Sequence, residues 1–153
     1  MLEVKKIKKS LLKHCADALE LRHTSISQTM EDIVQSLQSE TKSSAGDKHE
    51  TGRAMLQLER EKTGKQLSEI EREKQLLSKV QIDNPSSVIK LGSIVITSQA
   101  NYFIAISVGK ITLENRTYFA ISAAAPVAKL LLGKEEGAEV VFQHLKIKVQ
   151  KVF

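Results

Sequence analysis

Residues 10–40 run without a glycine or a proline, so nothing in that stretch forces the backbone out of a helix. Apolar or small residues recur through it at alternating steps of four and three: Leu12, Ala16, Leu19, His23, Ile26, Met30, Ile33 and Leu37, with His23 the one interruption. That stripe is a heptad seam, narrower than the face a globular helix buries. A second long segment, from about Glu50 to Lys79, carries Leu56, Thr63, Leu67, Ile70 and Leu77 at compatible spacing. Its other positions are crowded with charge, as in Glu59-Arg60-Glu61-Lys62, which suits a solvated helix surface. Gly52 and Gly64 each weaken this helix by about 1 kcal/mol relative to alanine.

Between the two segments lies Lys42-Ser43-Ser44-Ala45-Gly46-Asp47-Lys48-His49-Glu50, rich in small and turn-forming residues. A short connection between long helices makes them antiparallel neighbours. The expected product is a coiled-coil hairpin over residues 1–83 with an acidic tip near 43–50. Such a hairpin closes its own seam, so the chain is expected to be a monomer.

Asn84-Pro85-Ser86-Ser87 ends the helical pattern, and beyond it the periodicity changes to two. The runs Ser93–Thr97, Tyr102–Val108, Ile111–Leu113, Thr117–Ile121, Glu139–Gln143 and Leu145–Val149 read as strands. Leu145, Ile147 and Val149 alternate with Lys146, Lys148 and Gln150, predicting one buried and one wet face. Pro126 suits the first turn of a short helix through Leu132, and Gly133 can end it in a left-handed conformation. Residues 84–153 are therefore expected to form a small β-rich domain, which makes the chain α+β with a mainly antiparallel sheet.

Aromatic residues are scarce, at 4%, and tryptophan is absent, so aromatic clusters cannot dominate the core. The most apolar stretch, Ala120–Gly133, is interrupted by Pro126 and Lys129 and is too short to cross a bilayer. Polar and charged residues after the first lysines spoil any signal-peptide core, so a cytoplasmic location is expected. Cys15 is the one cysteine, which excludes an intramolecular disulfide. With the four histidines it offers no zinc-ligand spacing, and a buried structural thiol is the expected role. The net charge of +5 is uneven: residues 1–13 hold five lysines against one glutamate, and that cluster reads as a solvated basic segment near the hairpin base.

Asp47 and Glu50 are the residues with chemistry to argue about. Their i, i+3 spacing at a helix start puts two carboxylates in one turn. Asp47 as N-cap with Glu50 reaching back would make a capping box, and Ser44 with Asp47 offers another one turn earlier. Spacing alone favours this structural role over a metal site.

The segment Gly46-Asp47-Lys48-His49-Glu50-Thr51 between two long helices resembles the Gly-Asp-Leu-x-Glu-Asn tip of GreA and GreB, the bacterial transcript cleavage factors. Val88-Ile89-Lys90-Leu91-Gly92-Ser93-Ile94-Val95 looks like the entry to that family's C-terminal domain. Ala125-Pro126-Val127-Ala128-Lys129-Leu130-Leu131-Leu132-Gly133-Lys134-Glu135-Glu136-Gly137 is similar to its Ser-Pro-x-x-x-x-Leu-x-Gly-x-x-x-Gly segment. Three segments in the right order span nearly the whole chain. The sequence departs from the pattern at Lys48, Thr51, Ala125 and Ala138.

The resemblance implies an FKBP-like C-terminal domain that anchors the protein on RNA polymerase and a hairpin that enters the secondary channel. It also implies that Asp47 and Glu50 help hold a second Mg²⁺ beside the nascent RNA 3′ end, in the polymerase's own active site. The protein would then be a cofactor of the polymerase and not a free-standing enzyme. His49 between the acids could contact RNA or carry a proton, and Arg53 could pair with Glu50 or approach a phosphate. Two other readings stay open: a secondary-channel regulator that stimulates no cleavage, and a coiled-coil adapter of unrelated function.

Overall fold

A computed structural model describes residues 2–42 and 47–153, with the side chains of Leu2, Thr41, Lys42 and residues 47–49 outside the description. The architecture is α+β: a long helical hairpin followed by a six-stranded, mostly antiparallel sheet with one short helix. Helix α1 runs Leu2–Lys42 and α2 runs Asp47–Ser78. The strands are β1 Ile94–Thr97, β2 Asn101–Ala105, β3 Gly109–Leu113, β4 Arg116–Ser122, β5 Glu139–Phe142 and β6 Leu145–Val152, with α3 Pro126–Leu131 between β4 and β5. The chain packs as two compact units, one of residues 19–74 and one of residues 1–18 with 75–153.

The first of these is the hairpin arm. Its antiparallel register is marked by three pairs between the helices: Lys74 Nζ to Glu20 Oε1 at 2.9 Å, Arg22 Nη1 to Glu73 Oε2 at 2.9 Å, and His23 Nε2 to Glu71 Oε1 at 3.9 Å. Lys74 also holds the Glu20 carboxyl below its ordinary pKa, first by its hydrogen bond and then by its charge. Exposed pairs of this kind set register more than they stabilise. Burial does the rest. Ile33, Leu37 and Ile70 are buried, and Thr63 joins them at 2% exposure. The seam expected on α2 is the observed one, and on α1 it is observed from Leu19 onward.

Nearer the start of α1 the seam shifts by one residue. Leu11 and Cys15 are fully buried, whereas Leu12 is half-buried and Ala16 exposed. Here α1 belongs to the unit that contains the sheet, so it must present a face to strands as well as to α2. Two consecutive steps of four, from Leu11 through Cys15 to Leu19, drift about 80° around a helix of 3.6 residues per turn, so the buried stripe leaves the heptad seam here. The basic cluster is likewise helical and only partly solvated. Lys5 pairs with Asp83, Lys13 pairs with Asp17 at 2.8 Å, and Lys8 is only 3% exposed. Burial, reinforced by the charge of Lys90, lowers the Lys8 pKa below the ordinary lysine value.

The sheet order is β3-β4-β2-β1-β6-β5, and every neighbouring pair is antiparallel except β2 with β4. That exception explains why β2 stops at Ala105 and does not run on to Val108. Strand β4 inserts between β2 and β3, so residues 106–108 must step across its end. Ser107 Oγ accepts from the Ser122 N–H at 3.0 Å, and the Val108 N–H donates to Ala120 O at 3.2 Å, fixing the step. Both two-residue hairpin turns, Glu114-Asn115 and Gln143-His144, have positive φ at both positions, the twist that joins right-twisted strands.

One face of the sheet carries Val95, Ile104, Val140, Ile147 and Val149 against Ile89 and the buried side of α3. Pro126 opens α3 as expected; Ala125 in the N-cap position is extended but has no side-chain acceptor to offer. The helix end is tied to Ile89, whose N–H donates to Lys134 O and whose carbonyl accepts from Gly133, both at 2.9 Å. Gly133 adopts φ +81° as the terminator. Gly92, at φ +90°, is required for a second reason: a Cβ there would lie 2.9 Å from Val80 Cγ1. In β6 the alternation breaks. A bulge opposite Ile96 and Thr97 lets both Val149 and Val152 turn inward, three residues apart. Leu145, expected on the buried face, sits 56% exposed because it lies beside the β5–β6 turn at the end of the core.

Two stability measurements follow. A Cβ on Gly64 would meet only Met30 Cε, at 3.9 Å, so Gly64→Ala should raise stability by up to about 1 kcal/mol in urea unfolding. Lys8→Met should also stabilise, by roughly 1 kcal/mol at neutral pH, because an apolar side chain replaces a buried ammonium. The folded-state pKa of Lys8 is depressed, so between that value and the unfolded lysine value the unfolded chain binds more protons. Wild-type stability therefore rises with pH through that window, and the advantage of Lys8→Met should shrink in alkaline buffer. A gain that stays constant with pH would show that the charge of Lys8 is not what the fold opposes.

Candidate functional site

The acidic tip lies where the hairpin reverses. Helix α1 ends at Lys42 and α2 begins at Asp47, so Asp47 and Glu50 both fall in the first turn of α2. Successive helical residues rise 1.5 Å and turn 100°, so positions three apart stand nearly one above the other. Glu50 is exposed. The Asp47 side chain lies outside the described residues, as do residues 43–46 and the side chains of Lys48 and His49. Neither the capping box nor the pairing of the two carboxylates is therefore among the described contacts. Thr51 and Arg53 are exposed on the turn that follows.

The start of a helix concentrates unsatisfied N–H groups and the positive end of the backbone dipole. A carboxylate there can accept hydrogen bonds from those groups, and an exposed one can turn outward to a cation or to water. Oxygen donors of this type suit Mg²⁺, which takes one or two carboxylates and keeps several waters. Glu50 offers such a donor on an exposed side chain. Among the described residues, no three His, Cys, Asp or Glu side chains gather as a metal-binding group.

Charge separates between the two compact units. The hairpin arm, residues 19–74, holds nine Lys and Arg against eleven Asp and Glu; the remainder holds fourteen against seven. The excess of basic groups thus belongs to the sheet-bearing unit, and the acidic tip is carried by the mildly acidic one. The division does not follow the chain order, because the bases of both helices belong to the sheet-bearing unit. Cys15 is buried in that base, and burial pushes its thiol up to about 11. It is protonated at neutral pH and plays the structural part expected of it.

No protein-family profile matches the chain, and no curated protein matches its sequence. Among solved structures, the chain is similar to a prokaryotic transcription elongation factor GreA/GreB from Nitrosomonas europaea, at 17% identity, over 54% of this chain and 77% of that one, with a TM-score of 0.34. It is also similar to the transcription factor Gfh1, at 21% identity, over 86% of this chain and 92% of that one, again with a TM-score of 0.34. The architecture itself rests on this chain's own helices and strand register. No helix among the described residues is long and apolar enough to cross a membrane.

Proposed function

We propose that this protein is a GreA/GreB-like elongation factor that binds RNA polymerase, inserts its hairpin into the secondary channel and stimulates cleavage of backtracked RNA. The observation that carries the reading is the placement of Asp47 and Glu50 in the first turn of α2, directly after the chain reversal. Asp47 and Glu50 of the resemblance motif open the second helix, which supports this reading. The Pro126–Gly137 segment supports the same reading: it forms α3 and the Gly133 and Gly137 turns that follow, both glycines at positive φ.

The chemistry assigned to the tip is modest and specific. Hydrolysis of a phosphodiester is assisted by two divalent ions, one at the attacking and one at the leaving oxygen. Asp47 and Glu50 would supply oxygen ligands for the ion that the polymerase holds less firmly. Glu50 would also accept a hydrogen bond from the attacking water and so orient it. Helical segments from Leu19 to Lys42 and from Asp47 to Lys74 give the arm a reach of roughly 40 Å, enough to carry side chains deep into a narrow channel. On this reading the protein works in the cytoplasm as a monomer and is not itself the hydrolase.

Replacing both Asp47 and Glu50 by alanine should abolish stimulated cleavage in stalled elongation complexes while polymerase binding is nearly unchanged. The loss should appear in the maximal rate, because the carboxylates act on the transition state. Asp47→Asn keeps an N-cap acceptor and removes the charge, so helix content should hold while the rate falls. A double variant that binds and cleaves at the wild-type rate would leave the two acids as helix caps. The tip residues Lys48 and Thr51 favour a second reading, a channel regulator without cleavage. A wild-type protein that binds polymerase and never stimulates cleavage would establish it.

A further inference from the structure

The sheet has a second face, opposite α3, and its register aligns a row of side chains across four strands. Ile96 pairs with Asn101 on one side and with Lys151 on the other. Tyr102 pairs with Phe119 in parallel, which sets Asn101 beside Tyr118 one residue earlier. Arg116 lies two residues before Tyr118 on the same face. Over this row the first turns of α1 bring Val4 and Ile7, enclosing a cleft of about 630 Å³. An adjoining hollow of about 510 Å³ shares Ile7, Arg116 and Tyr118. All of these residues belong to the sheet-bearing unit.

Three polar features of the cleft are unspent. Arg116 and Lys151 form no ion pair among the described residues, and Glu3 is the one acid on the lining of the larger chamber. Tyr118 is only 2% exposed, yet its hydroxyl has no hydrogen-bond partner among the described residues. No fully buried side-chain polar atom is left without a partner there, so the hydroxyl reaches the cleft that Tyr118 lines. A nearly buried tyrosine ordinarily finds a partner for its O–H. Here the packing holds the ring and leaves the hydroxyl for something that enters.

We propose that this cleft binds a small amphipathic anion, its apolar body on Ile7, Ile94 and Ile96 and its carboxylate or phosphate held by Tyr118 with Arg116 or Lys151. The volume lies within the usual range for small-molecule sites, and an apolar floor with a few convergent polar groups is their usual lining. Arg116 and Lys151 stand three strand spacings apart, about 14 Å between backbones. Each cation can therefore reach one end of an elongated ligand, and the site favours molecules charged at an end over compact ions. This site is independent of the hairpin tip and of the polymerase reading.

The test is a fluorescence titration of the full chain with 8-anilinonaphthalene-1-sulfonate at neutral pH, followed by competition. One saturable site per chain is expected. Arg116→Gln with Lys151→Gln, both exposed in the wild type, should weaken it by about tenfold. Tyr118→Phe, which keeps the ring, should weaken it by roughly fivefold, the worth of one hydrogen bond. Adenosine monophosphate and decanoate form the two competing arms; displacement by either supports the site and identifies its preferred anionic head. Failure of both to displace the dye overturns the proposal, as does unchanged affinity in the double glutamine variant. Loss of binding in Val141→Ser with Leu145→Ser would move the dye to the exposed β5–β6 hairpin and overturn it equally.

Discussion

What happens at the tip is decided by the antiparallel register of α1 and α2. Glu20 with Lys74, Arg22 with Glu73, and Met30 beside Gly64 are successive levels of one ladder. Gly52 continues it toward the reversal, where its missing Cβ would face the Glu40 carboxylate at 3.8 Å. A slip of one residue on either helix would break the charge pairs together and turn Ile33, Leu37 and Ile70 out of the seam. It would also rotate Glu50 by about 100° around α2. Register therefore matters more here than the total area buried, because it sets where the acidic turn points.

The two glycines of α2 show how that register is tolerated. In a free helix both cost stability, and the sequence argument treats them as weak points. In the hairpin Gly64 sits on the seam opposite the long, flexible side chain of Met30, with ordinary contact distance to spare. Methionine fills such gaps without demanding one shape. The helix is thus locally weakened where its partner is most adaptable, and the seam continues through Thr63 and Leu67 on either side.

Most of the sheet was legible in the sequence because each strand announces itself locally, through alternation and a bounding turn. Gly133, expected to end α3 in a left-handed conformation, does so for that reason. What was not legible depends on partners distant in sequence. Nothing near Ile106 says that β4 will insert beside β2, so the strand was drawn three residues too long. Leu11 and Cys15 take the buried face in place of Leu12 and Ala16 because the base of α1 answers to a sheet that begins about eighty positions further on. Lysine is usually solvated, so nothing in the sequence around Lys8 signals its burial. At the tip, the position of Glu50 could be read from the turn signals and helix pattern alone. The cleft could not: Val4, Ile96, Tyr118 and Lys151 come from four separate elements and share no motif.

A carboxylate at a helix N-terminus faces two opposing demands. The backbone dipole, equivalent to about half a positive charge, favours the ionised form, which a metal ligand needs. The same field opposes a cation brought close to it. Two acids in one helical turn, with water competing for every position, should therefore hold Mg²⁺ weakly on their own. Weakness of this kind suits the proposed role. A factor that carried its own tightly held ion would bring a complete site into any channel it entered. One that supplies only ligands would complete a site only where the proposed partner supplies the remaining oxygens. On the proposed reading, selectivity would come from geometry: the ion would be secured only with the arm fully inserted and a backtracked RNA present.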